Sequence, residues 1–345
     1  MPDKNRKNNL FSKLTGYYKN PKDGKGVKKR KVTDKEKYSL KSFFVVYKMR
    51  FWNLIVLNLI FMLMISPAIC GVLGYVGVFH TRELSPTNLL FAPVYGAHLC
   101  SPAPATANLL SVFGTQTVVS TENAVTYTMY AIAFLVLLTF GPANVGMTYI
   151  LRGYTRGDYV MPFRDFFSAI KKNFLSSIAL GICDLLLSAA LIFSTWYYYT
   201  ASPDFSYTIL FFVMFAMSFI YFMMRFYMYI MLITFKLTPA KLIKNSFILA
   251  ILGIKRNIVA VVGIIVFALL FVVIFMFSVP FGITLPLFVV AANMGFMACF
   301  AAYANIKKYM IDPYYDEQSE KSGKGGADDK YDLTIEEEPI FVDRG

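Results

Sequence analysis

Long apolar runs alternate with short charged ones along this chain. A helix needs about 20 mostly apolar residues to cross a bilayer. Six stretches meet that length, roughly 51–78, 126–150, 174–200, 207–235, 258–280 and 283–306. The last two meet at "VPFGITLP" (279–286), whose two prolines and one glycine predict a tight turn. The first run follows about fifty polar residues and exceeds the length of a signal core, so it is expected to be a retained span.

Two connections carry a second pattern. From Pro162, the apolar residues Phe163, Phe166, Phe167, Ile170 and Phe174 recur at intervals of three and four. Arg164, Asp165, Ser168, Lys171 and Lys172 fall between them. That spacing predicts an amphipathic helix lying in the membrane interface, with Pro162 in its first turn. A similar elbow is expected after Thr238 and Pro239, carrying Lys241, Lys244, Lys255 and Arg256. Both elbows run from a proline through basic residues to a Lys/Arg pair followed by Asn, which allows an internal repeat of three spans each. Upstream, Gly141 and Pro142 lie inside the second span, where proline removes a backbone donor and is expected to bend the helix. Asn144 either satisfies the freed carbonyl or faces a polar pathway, and the small residues permit close helix packing.

Composition supports the membrane reading. Of 345 residues, 57% are hydrophobic and 16% charged, with a mean hydropathy of +0.52. Soluble domains carry roughly a quarter charged residues. The expected fold is therefore an all-α polytopic membrane domain over 45–311, between polar tails at 1–44 and 312–345. Both tails are expected to be disordered.

Charge sets the orientation. Basic residues crowd the N-terminal tail, the 152–173 connection (Arg152, Arg156, Arg164, Lys171, Lys172) and the 236–257 connection. The opposite connections hold one, Arg82. The positive-inside rule then puts both termini in the cytoplasm and the 79–125 connection outside. Residues 1–50 balance to +12, and the chain from Asp312 onward to −7. The basic tail is expected to contact anionic lipid headgroups, with the acidic tail competing for it. No aromatic platform accompanies the basic run, so nucleic acid is not expected as a partner. The four cysteines show no paired spacing, and His80 and His98 lack a carboxylate cluster, so neither metal nor cofactor is expected.

Three stretches, "FWNLIVLNLIFMLMISPAICG" (51–71), "GPANVGMTYILRGYTRGDYVMPFRDFFSAIKKNF" (141–174) and "LTPAKLIKNSF" (237–247), resemble the YesL-like family, domain of unknown function 624, of bacterial integral membrane proteins. The resemblance implies a bacterial plasma-membrane location, an association with carbohydrate uptake and no established reaction. The tails and the 79–125 connection look like additions to it.

Asp184 and Arg225 are ionisable residues inside apolar spans, where charge is costly and usually partnered. Asp184 lies 11 residues after Asn173, and Arg225 lies 11 before Lys236. At 1.5 Å per residue both sit about 16 Å from the elbow side. They are expected either to form a structural ion pair or to serve as a gate or polar-solute contact. With no convergent nucleophile–base pair, the chain is expected to be non-enzymatic. A transport role, as permease or as accessory to a transporter component, competes with a membrane scaffold or regulator.

Overall fold

In apolar surroundings each backbone N–H and C=O must be bonded within its own segment, and helix achieves this. The computed structural model describes residues 38–201, 204–314 and 341–342, and it is predominantly helical. The elements are α1 (Leu40–Tyr75), β1 (Thr81–Pro86), α2 (Phe91–Cys100), α3 (Pro104–Phe113), β2 (Gln116–Thr121), α4 (Ala124–Ala133), α5 (Val136–Arg156) and α6 (Pro162–Lys172). There follow α7 (Phe174–Thr200), α8 (Phe205–Thr234), β3 (Phe235–Lys236), α9 (Pro239–Leu252), α10 (Ile254–Phe277) and α11 (Val279–Ile306). A π-helical segment at Lys307–Ile311 continues α11, and β4 is Phe341–Val342.

Helices α1, α7, α8, α10 and α11 are each long and apolar enough to cross a membrane, and α4 with α5 passes the same test as a broken pair. The chain is an all-α polytopic membrane protein with five or six spans. It divides into two compact units, one from the residues up to Met64 and from Leu137 onward, the other Ile65–Val136.

In the larger unit α8 packs against α7, α9 and α11, and α10 packs along α11. Phe43 of α1 stacks on Phe296 of α11 with ring centroids 5.3 Å apart. Leu54, Leu57, Tyr227, Met231, Phe296 and Ile306 are fully enclosed, whereas Leu186, Ile192, Phe193, Leu269 and Phe277 are exposed. An outer surface this apolar suits lipid. Asn58, itself fully buried, donates to the Leu287 carbonyl (2.7 Å) and accepts from the Ala292 amide (2.7 Å). One side chain thereby ties α1 to backbone groups just after Pro286.

In the smaller unit β1 and β2 form an antiparallel ladder from Thr81↔Thr121 to Pro86↔Gln116, with α2 and α3 between them in sequence. Asn123 caps α4, its side chain accepting from the Thr126 amide at 3.0 Å. His80 Nδ1 lies 3.0 Å from Ser120 Oγ, and His98 Nδ1 lies 2.9 Å from Thr106 Oγ1.

Several boundaries differ from the sequence reading. α1 begins at Leu40, because Lys41, Lys48 and Arg50 are carried on the helix; long basic side chains can snorkel to an interface. The second span breaks at Phe134–Leu135 with neither glycine nor proline there, while α5 continues through Pro142. The turn expected across 279–286 contracts to Ser278, because Pro280 fits the donor-free first turn of α11. Asp312–Tyr314 extend the C-terminal helix beyond the expected tail boundary. The rest of the expected disordered tails, apart from 38–44 in the N-terminal one and 341–342, lies outside the described residues.

The two elbows share one design. α5–α6–α7 and α8–α9–α10 each consist of a long helix, a short helix begun by proline, a single cap residue (Asn173 or Gly253) and another long helix. α5 ends in a paired turn: the Asp158 amide returns to the Gly153 carbonyl and the Gly157 amide to Tyr154. Gly157 supplies the positive φ of 88° that this ending needs.

Candidate functional site

The spacing Tyr221, Arg225, Tyr229 puts one side chain per turn on a single face of α8. Antiparallel α7 brings Asp184 to that face. Arg225 Nε lies 2.8 Å from one Asp184 oxygen and 3.1 Å from the other. Tyr221 donates its hydroxyl to Oδ1 at 2.8 Å, and Tyr229 donates to Oδ2 at 2.8 Å. Ser188, one turn along α7, adds a longer contact of 3.4 Å. The Asp184 side chain has no exposed surface, while that of Arg225 is 30% exposed. Its guanidinium also lies 5.9 Å from the Phe140 ring centroid. The geometry can fix a charge inside the spans, since every strong acceptor direction of the carboxylate meets a donor.

The exposed side of Arg225 opens on a cleft of about 200 Å³ between α5, α8, α10 and α11, shared with Asn144, Thr148 and Tyr229. At roughly 30 Å³ per water this holds about seven waters, less than a typical ligand pocket. The cleft reaches Arg225 and Tyr229; Asp184 is shut away behind them. Asn144 donates to the Phe140 carbonyl at 2.8 Å. The carbonyl deprived of its usual donor by Pro142 is Leu138, four residues before it, so Asn144 reinforces the helix two positions further on. Gly141 meets Gly181 of α7 backbone to backbone: a Cβ at Gly141 would stand 1.9 Å from the Ser177 carbonyl oxygen.

The basic elbow residues divide. Arg152, Arg156 and Lys172, with Lys236, line a second and larger cleft of about 590 Å³ at the junction of α5, α6 and α8. Arg156 pairs with Asp158 at 3.0 Å. Arg164 pairs with its neighbour Asp165 at 3.1 Å, exposed and outside that cleft. Lys171, Lys244 and Lys255 are exposed and Lys241 is half-buried. Arg256 turns inward, donating to the Tyr38 carbonyl with its guanidinium 5.9 Å from the Tyr38 ring centroid.

The stripe expected to lie on the interface is split. Phe166 and Ile170 are buried, Phe166 against Gly146 of α5, while Phe163 and Phe167 remain exposed. Half of the apolar face anchors α6 to the protein, because Gly146 leaves room for a ring.

A polar network around Tyr227 also escapes a reading by charge. Tyr227 donates to Asn257 Oδ1 at 2.6 Å and accepts from Asn305 Nδ2 at 2.8 Å, beside Gly253. Its members are neutral and far apart in sequence. Among the described residues no group of three or more His, Cys, Asp or Glu converges as a metal site.

Neither the curated proteins nor the solved structures provide a match. A family model, "Protein of unknown function, DUF624", matches residues 84–195. The match takes in most of the 79–125 connection, which had looked like an addition; the likeness at 51–71 and 237–247 falls outside it. It extends through α5, α6 and most of α7, including Asp184. Over residues 84–195, therefore, the chain is similar to DUF624, a family of unknown function.

Proposed function

We propose that this protein is a transport-associated component of a bacterial plasma membrane, acting as a permease or as an accessory to carbohydrate uptake, with both termini in the cytoplasm. The observation that supports this most is the junction of the charged cluster with a cleft inside the spans. Arg225 and Tyr229 present polar groups there beside Asn144 and Thr148. Polar side chains that face a cavity within apolar helices are characteristic of solute pathways. At about 200 Å³ the cleft is closer to a closed gate than to a loaded chamber.

Purified protein reconstituted alone into vesicles tests the permease form. Influx of a labelled sugar that is lost in Arg225→Ala, with the variant still folded, supports it. Absence of flux together with stable co-purification of a sugar transporter supports the accessory form. Absence of both overturns the transport reading. The second reading, a non-catalytic scaffold or regulator, draws on the complete enclosure of Asp184, since a carboxylate bonded on both oxygens suits a fixed clamp.

A further inference from the structure

We infer that the larger cleft, at the elbow junction of α5, α6 and α8, is a binding site for a phosphate-bearing anion. The cleft is separate from the Arg225 site, and the inference does not depend on the transport reading. Its volume of about 590 Å³ falls within the range of small-molecule sites, roughly 300–1,000 Å³.

Four basic side chains line it, Arg152, Arg156, Lys172 and Lys236, against two acids, Asp158 and Asp165. Both acids are already engaged. Asp158 holds Arg156 at 3.0 Å. Asp165 accepts from the Met161 amide at 2.9 Å and from Arg164 at 3.1 Å. Among the described residues Lys172 and Lys236 form no ion pair, so the cleft keeps a positive excess.

Arg152 gives the site a fixed centre. Its residue is only 8% exposed yet it lines the cleft. Thr234 donates its own hydroxyl to the Ile230 carbonyl at 2.6 Å, which leaves its oxygen to accept from Arg152 Nη1 at 2.8 Å. The guanidinium also lies 5.4 Å from the Tyr149 ring centroid. A buried guanidinium held in place by Thr234, with two ammonium groups lining the same cleft, suits an oxyanion: the arginine supplies a fixed positive charge and the lysines bond the oxygens. A phosphate monoester carries roughly −1.5 to −2 charge near neutral pH and a phosphodiester headgroup about −1, and both present non-bridging oxygens that answer that arrangement. The anion is either a soluble phosphate ester or a lipid headgroup, because the cleft sits where spans meet an interface elbow.

The test uses the full-length protein and two arms. In the first, protein in phosphatidylcholine nanodiscs is titrated calorimetrically with inorganic phosphate and with glycerol phosphate. In the second, mass spectrometry counts phosphatidylglycerol against phosphatidylcholine retained by the purified protein. Each arm compares the wild type with Lys172→Gln/Lys236→Gln and with Lys171→Gln, whose lysine lies on the same helix outside the cleft. The double variant should weaken binding about tenfold or abolish the phosphatidylglycerol preference, given the strength of charge-assisted hydrogen bonds. Lys171→Gln should behave as wild type. Binding in the first arm identifies a soluble anion, and a preference in the second arm alone identifies a headgroup. No binding in either arm overturns the inference, as does an equal loss in Lys171→Gln, which would reduce the effect to surface charge.

Discussion

At residue scale the central fact is that Asp184 is enclosed and holds its donors on both oxygens. Removing Arg225 alone leaves a buried carboxylate without its counter-charge, whereas removing both charges leaves only the neutral Tyr221 and Tyr229 hydroxyls short of an acceptor. Arg225→Ala should therefore destabilise the protein more than Asp184→Ala combined with Arg225→Ala. Unfolding in graded denaturing detergent measures this, and additive losses around the cycle would contradict direct coupling. Tyr229→Phe should cost about 1–3 kcal/mol, because it withdraws a donor from a buried carboxylate without opening a large cavity. Nothing in the charge pattern singles out the two tyrosines. Their spacing of four around Arg225 was nonetheless present in the sequence, and helical geometry makes that spacing a shared face.

At the scale of elements, the elbow α6 shows how one periodic stripe can serve two surroundings. Phe166 has no exposed surface, while Phe163 is 65% exposed. Phe166→Ala should cost about 3–5 kcal/mol in the same unfolding measurement, as for other enclosed aromatic rings. Phe163→Ala should change stability by less than about 1 kcal/mol. Equal losses would mean that the whole stripe is packed inside. The α5–α7 contact is stricter still. Gly141→Val should lower the unfolding midpoint sharply, since even its first side-chain carbon has no room before the Ser177 carbonyl. Gly141 and Pro142 were legible as a packing or bending site, but the choice between those roles depends on Gly181, 40 positions away.

At the scale of the whole molecule, the proposed orientation is open to direct labelling. With Cys70, Cys100, Cys183 and Cys299 replaced, a cysteine introduced at exposed Ser120 should react with an impermeant maleimide from outside intact cells. One introduced at exposed Ser168 should react only after permeabilisation. The opposite pattern would reverse the topology. The sequence by itself determined the spans, the elbows and the matching depths of Asp184 and Arg225, because length, apolar content and helical rise act locally along a chain. It missed the break at Phe134–Leu135 and the β1–β2 ladder, which local composition does not mark. Only the tertiary structure decided which way each polar group faces: Arg152 and Lys236 into one cleft, Arg225 into another, and Tyr227 between Asn257 and Asn305. The reason is physical. Periodicity assigns a residue to a face of its own helix, but the partner waiting opposite that face is brought there by packing between helices distant in sequence.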